Sequence, residues 1–216
     1  MNKYIKLKVC GLKHKNNIYA AIGVGVDYVG LIFYEKSPRY VVGTLYPEDV
    51  WFLPDEVEKI GVFVNASFEE VVRYAKLYQL DLIQLHGSET PAFCAALRNK
   101  GYTVMKAFGV DDAFDFMHLQ PYVKDVDFFL FDTKTPMHGG SGESFNWEVL
   151  RNYTYEIPVF IGGGLGVSNL NELLGYNFSF LHAVDMNSKL EMEPGLKNIS
   201  QVEIAAQLVQ DYNESI

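Results

Sequence analysis

Short apolar runs recur along the chain at a spacing of roughly 20–30 residues, separated by segments of mixed polarity. Eight of them read as strands: Tyr4–Val9, Tyr28–Phe33, Lys59–Val64, Leu80–His86, Val104–Phe108, Val126–Asp132, Pro158–Gly162 and Leu181–Met186. They are rich in Val, Ile and Phe, the composition of parallel strands covered on both faces. Helix signals fall between them. Ser67-Phe68-Glu69-Glu70 is a capping box, and Phe68, Val71, Val72 and Ala75 follow it at helical spacing. Thr90 precedes Pro91 as a cap precedes a proline at the first helical position. Ser168 or Asn169 caps a helix over Leu170–Leu174, Gly175 closes it, and a last helix is predicted over Ser200–Tyr212. Strand and helix alternating eight times predict a single (β/α)8 barrel spanning residues 1–216. An open doubly wound sheet is the rival, and it usually has fewer strands at this length.

Composition narrows the function. A chain of 216 residues, 49% hydrophobic and 21% charged, is an ordinary globule without need of disulfides or metal. Its two cysteines, Cys10 and Cys94, make no disulfide framework, and no Cys/His spacing suggests zinc. No apolar run approaches the ~18 residues needed to span a bilayer. Met1-Asn2-Lys3-Tyr4-Ile5-Lys6 lacks the apolar stretch of a signal peptide, so the expected compartment is the cytoplasm. A net charge of −9 argues against nucleic acid and membrane as partners. It leaves room for a small anionic ligand in a local cradle.

Side chains two apart on a strand share a face. With Ile5, Leu7 and Val9 turned to the helices, Lys6, Lys8 and Cys10 point into the barrel. The same alternation turns Gln84 and His86 inward in the fourth strand, Asp132 in the sixth and Asp185 in the eighth. Cys10, His86, Asp132 and Asp185 therefore meet at the C-terminal mouth, where barrel enzymes keep their active sites. Each has a bland alternative. A lone cysteine is usually a small buried apolar residue, and Cys94 fits that description. A strand-end carboxylate often caps the next turn, and a single histidine often bonds backbone. Convergence favours chemistry. Lys8, one pleat below Cys10, is expected to favour the thiolate.

Two segments suggest phosphate. Gly162-Gly163-Gly164-Leu165-Gly166 follows the seventh strand, and Asn187-Ser188-Lys189 follows the eighth, the usual phosphate position in this architecture. Gly139-Gly140-Ser141-Gly142 reads as a flexible loop, or functionally as a lid. Arg39, on the Pro38-stiffened loop after the second strand, is placed to clamp a carboxylate.

These segments resemble the phosphoribosylanthranilate isomerases of tryptophan biosynthesis. The matching stretches are Lys8-Val9-Cys10-Gly11-Leu12, Val29–Tyr34, Lys36-Ser37-Pro38-Arg39-Tyr40, Gly61–Asn65, Gln84-Leu85-His86-Gly87 and Asp132-Thr133-Lys134, continuing through Gly139–Gly142, Gly163-Gly164-Leu165, Val184-Asp185 and Pro194-Gly195. They keep the family order across nearly the whole chain. The resemblance implies an Amadori rearrangement of N-(5-phospho-β-D-ribosyl)anthranilate without metal or organic cofactor. Asp132 would be the general acid and Cys10 the general base. Arg39 would hold the anthranilate carboxylate, with His86 and Asp185 also in contact with substrate. Gly163, Gly164, Asn187 and Ser188 would hold the phosphate. The expected assembly is a monomer or homodimer. Glu143, Asn146, Asn187 and Lys189 depart from the family pattern. Two other readings are a sugar-phosphate epimerase, which would need paired carboxylates and metal-binding histidines, and a non-catalytic or relaxed-specificity barrel binding a related phosphorylated metabolite.

Overall fold

The computed structural model describes residues 4–134 and 144–215. Eight parallel strands close into a barrel in chain order: β1 (Lys6–Cys10), β2 (Tyr28–Ile32), β3 (Glu58–Phe63), β4 (Leu82–Leu85), β5 (Thr103–Val110), β6 (Phe128–Thr133), β7 (Val159–Ile161) and β8 (Leu181–Met186). Closure is made by β1 against β8, with Lys8 opposite Asp185. All eight overlap the predicted runs, and β5 exceeds its run at both ends. The period of two divides the apolar residues into two cores. Tyr28, Ile60, Leu82, Met105, Leu130 and Phe160 fill the barrel itself. A larger cluster, including Leu7, Val9, Leu85 and Phe131, lies between the strands and the outer layer.

The outer layer departs from eight helices. The helices are α1 (Lys15–Gly23), α2 (Phe68–Tyr78), α3 (Pro91–Arg98), α4 (Leu170–Gly175) and α5 (Ile199–Ser215). After β2, β5 and β6 the described residues form only 3-10 turns, at Pro47–Asp49, Phe116–Tyr122 and Trp147–Asn152. Pro121 lies inside the second of these, where it lacks the N–H a regular helix would use. After β8 come a 3-10 turn (Ser188–Leu190) and a small hairpin, β9 (Glu191–Glu193) with β10 (Leu196–Lys197).

The caps follow the sequence in part. Ser67 accepts the Glu70 N–H at 3.2 Å, and Thr90 accepts that of Phe93 at 3.3 Å. Asn169 stands before α4, but its side chain bonds backward, to the Gly166 N–H at 2.9 Å and the Gly164 carbonyl at 3.2 Å. It ties the glycine turn rather than the helix. Gly175 is the last helical residue, and the left-handed position is Asn177 (φ 51°). α5 runs three residues past its predicted end because Asn213 bonds both the N–H and the carbonyl of Ile5, at 2.8 and 2.9 Å. No described helix is long and apolar enough to cross a membrane.

Candidate active site

The strand alternation delivers its polar residues as predicted. Lys8 is fully buried inside the barrel, and its ammonium donates to Gln84 Oε1 at 2.6 Å and to Asp185 Oδ2 at 2.7 Å. Burial opposes that charge, but Asp185 and Cys10 beside it hold the lysine above its ordinary pKa. Gln84 Nε2 lies 2.9 Å from His86 Nδ1, and His86 Nε2 lies 3.4 Å from Asp132 Oδ2. Asp132 Oδ1 accepts the Thr133 N–H at 2.8 Å. A polar line thus runs from Asp185 through Lys8 and Gln84 to His86, with Asp132 next in line across the barrel mouth. Asp185 Oδ1 is buried with no hydrogen-bond partner among the described residues. A buried acceptor left open in this way is a ready site for a ligand hydroxyl.

Cys10 ends β1, opposite Gly30 of β2, and is 5% exposed. A Cβ on Gly30 would lie 2.7 Å from the Cys10 sulfur, so this strand position is glycine to leave room for the thiol. Burial pushes the thiol up, against the positive charges of Lys8, Lys197 and Arg39. Lys8 stands where the sequence places it, but its charge does not outweigh burial. Lys8 favours the thiolate, as expected, while burial sets the net direction.

Arg39 is not an open clamp. Its Nε and Nη2 donate to Glu191 at 2.8 and 2.6 Å, a bidentate fork. Glu191 Oε1 also accepts from Lys197 at 2.7 Å and from the Gly195 N–H at 3.0 Å. Burial works against the Glu191 carboxylate, yet Arg39, Lys197 and the Gly195 N–H bring its pKa down to about 2. Buried Lys197 reaches further, to the Asn187 carbonyl at 3.2 Å and Oδ1 at 2.6 Å. The Asn187 side chain is therefore held from behind by a lysine. Sequence reasoning passed over Glu191 and Lys197. The signal available was Pro194-Gly195, whose turn folds β10 back against β9.

The loops after β7 and β8 meet. Gly163 has φ 80°, and a Cβ there would collide with the Thr133 nitrogen and lie 2.9 Å from Asp132 Oδ1. The turn thus packs on the end of β6. The Lys189 Cβ lies 3.1 Å from where a Gly166 Cβ would stand, so Gly166 accommodates the lysine. Lys189 itself is exposed. Asn146 accepts the Glu148 N–H at 3.1 Å and caps the 3-10 turn it precedes. Gly139–Gly142 and Glu143 lie outside the described residues. A cleft of about 400 Å³ sits at the opposite end of the barrel, lined by Leu7, Gly25, Asp27 and Gln207. It holds none of the strand-end groups, and its Asp27 carboxylate is taken by the Leu7 N–H at 2.7 Å.

Residues 7–208 match the family model described as N-(5'-phosphoribosyl)anthranilate (PRA) isomerase. The chain belongs to that family. The N-(5'-phosphoribosyl)anthranilate isomerase of Parabacteroides distasonis is 37% identical over 199 residues, which cover 91% of this chain and 89% of that one. The crystal structure of the Thermotoga maritima phosphoribosyl anthranilate isomerase superposes with a TM-score of 0.82 at 31% identity, covering 96% and 99% of the two chains. That protein is described as dimeric. A phosphoribosyl anthranilate isomerase in complex with reduced 1-(o-carboxyphenylamino)-1-deoxyribulose 5-phosphate superposes at 0.79 with 28% identity, again over 96% and 99%. As a phosphoribosylanthranilate isomerase, the chain has Cys10, His86, Asp132 and Asp185 on four strands or strand ends around one barrel mouth.

Proposed function

We infer that the protein converts N-(5-phospho-β-D-ribosyl)anthranilate to 1-(2-carboxyphenylamino)-1-deoxy-D-ribulose 5-phosphate in tryptophan biosynthesis. The family match over residues 7–208 carries this reading. The residue roles are our proposal, supported by the groups gathered at the mouth. Asp132 gives a proton to the furanose ring oxygen. The nitrogen lone pair then opens the ring and leaves a cationic Schiff base. Cys10 removes the proton from C2, the C–H electrons form the C1–C2 double bond, and the C=N pair returns to nitrogen. The resulting enol loses its C2 hydroxyl proton and gains one at C1 to become the ketone. Burial keeps the thiol protonated in the free site, so thiolate formation leans on Lys8, Lys197 and Arg39, and on the positive charge of the Schiff base itself.

Asp185 Oδ1 is proposed to accept a ribose hydroxyl, since it is buried without a partner among the described residues. Arg39 keeps donors beyond the two spent on Glu191, and these are proposed to take the anthranilate carboxylate. His86 is proposed to contact substrate beside Asp132. The amides of Gly163, Gly164 and Ser188, with the Asn187 backbone, are proposed to hold the phosphate. The partner is a small phosphorylated molecule. A cytoplasmic location and a monomer or homodimer are proposed with it. Freshly made phosphoribosylanthranilate is fluorescent, and its fluorescence should decay in proportion to enzyme added. A decay no faster than spontaneous hydrolysis would favour the non-catalytic binder instead.

A further inference from the structure

The polar line that starts at Lys8 can be wired in one way. An ammonium has three donors and no acceptor. The Gln84 atom 2.6 Å from Lys8 Nζ is therefore the carbonyl oxygen, which leaves the Gln84 NH2 facing His86 Nδ1 at 2.9 Å. An amide NH2 only donates, so Nδ1 accepts and carries no proton. Turning the amide over would press two donors together beside a fully buried charge. Protonating both ring nitrogens would do the same at Nδ1.

We propose that Lys8 and Gln84 are positioning residues that hold His86 as the neutral tautomer with its proton on Nε2, facing Asp132. The consequence is chemical. A ring protonated at Nε2 offers Asp132 a donor and no base. It supports the carboxylate that remains once the proton has gone to substrate, and it does not compete for that proton beforehand. Its distance of 3.4 Å from Asp132 Oδ2 is longer than a formed hydrogen bond, so a small movement of either group completes the contact. The charge of Lys8 also acts on Cys10, where it favours the thiolate, so one ammonium influences the base and, through two side chains, the acid. The role given to Asp132 rests on the isomerase reading; the wiring of His86 does not.

The test is a long-range proton–nitrogen correlation spectrum of the full chain labelled with 15N-histidine, without substrate. The His86 signals are assigned by their loss in His86→Gln. At neutral pH, Nδ1 should resonate in the range of a bare ring nitrogen and Nε2 in that of a protonated one. The reverse pattern, or two protonated nitrogens, overturns the proposal. Gln84→Glu then offers Nδ1 an acceptor, and the Nδ1 signal should shift to the protonated range. An unchanged ring in the folded variant overturns the role of Gln84, while the wild-type spectrum carries the test alone if the variant does not fold. Absence of isomerase turnover with the expected spectrum would remove the function, not the wiring.

Discussion

Arg39 and Glu191 stand 152 residues apart in sequence and form a bidentate pair beside the strand that ends in Cys10. The pair sets a pH dependence of stability. Glu191 is held at about 2, below its reference of 4.5, so its contribution is complete above 4.5 and is lost as pH falls toward 2. A shift of that size corresponds to on the order of 3 kcal/mol. Urea unfolding of Glu191→Gln should show a deficit of that order at neutral pH, and the gap to wild type should close through this acid window. A deficit that stays constant there would assign Glu191 a packing role alone.

Arg39→Ala should raise KM more than it lowers kcat. Hydrogen bonds to charged groups contribute roughly 1.5–3 kcal/mol, so a loss of about ten- to a hundredfold in kcat/KM is expected. Steady-state kinetics decide it. Unchanged KM would make Arg39 a partner of Glu191 and nothing more.

Gly30→Ala should slow turnover while the barrel still folds. The added methyl lies 2.7 Å from the Cys10 sulfur and must push it aside. A misplacement of about 1 Å at a reacting group costs on the order of a hundredfold. Circular dichroism and kcat measured on the same preparation check both halves, and wild-type kcat would show that the thiol does not need its present position.

The strand-end chemistry was legible in the sequence because a period of two is strict. Once Ile5, Leu7 and Val9 are outside, Lys8 and Cys10 are inside, and the same logic places Gln84, Asp132 and Asp185. The glycine turn was legible for a related reason, since consecutive glycines after a strand have few other uses. Glu191 and Lys197 were not. Their partners, Arg39 and Asn187, come from different loops, and no local pattern announces a contact closed by the barrel itself. The three 3-10 connections were also hidden, because caps and apolar spacing mark where a helix begins more clearly than whether its turns persist. Cys10 shows the limit of face-by-face reading. The neighbouring Lys8 was visible, but the burial that outweighs it is a property of the closed barrel.

Alkylation should expose that burial. Because Cys10 is pushed up, its reaction with iodoacetamide should rise with pH about a midpoint above that of an ordinary cysteine. Cys94, raised to about 12 by burial, should stay silent over the same range. Mass spectrometry separates the two sites. A Cys10 midpoint below the free-thiol value would mean that Lys8, Lys197 and Arg39 outweigh burial.

The assignment of Cys10 as base and Asp132 as acid stands or falls on two variants measured in one experiment. Positioned acid–base catalysis contributes about 10²–10⁴-fold. Cys10→Ser and Asp132→Asn should each lower kcat by at least roughly a hundredfold in the fluorescence assay with phosphoribosylanthranilate. Both should still bind reduced 1-(o-carboxyphenylamino)-1-deoxyribulose 5-phosphate in calorimetry with near wild-type affinity. Turnover close to wild type in either folded variant would contradict the assignment.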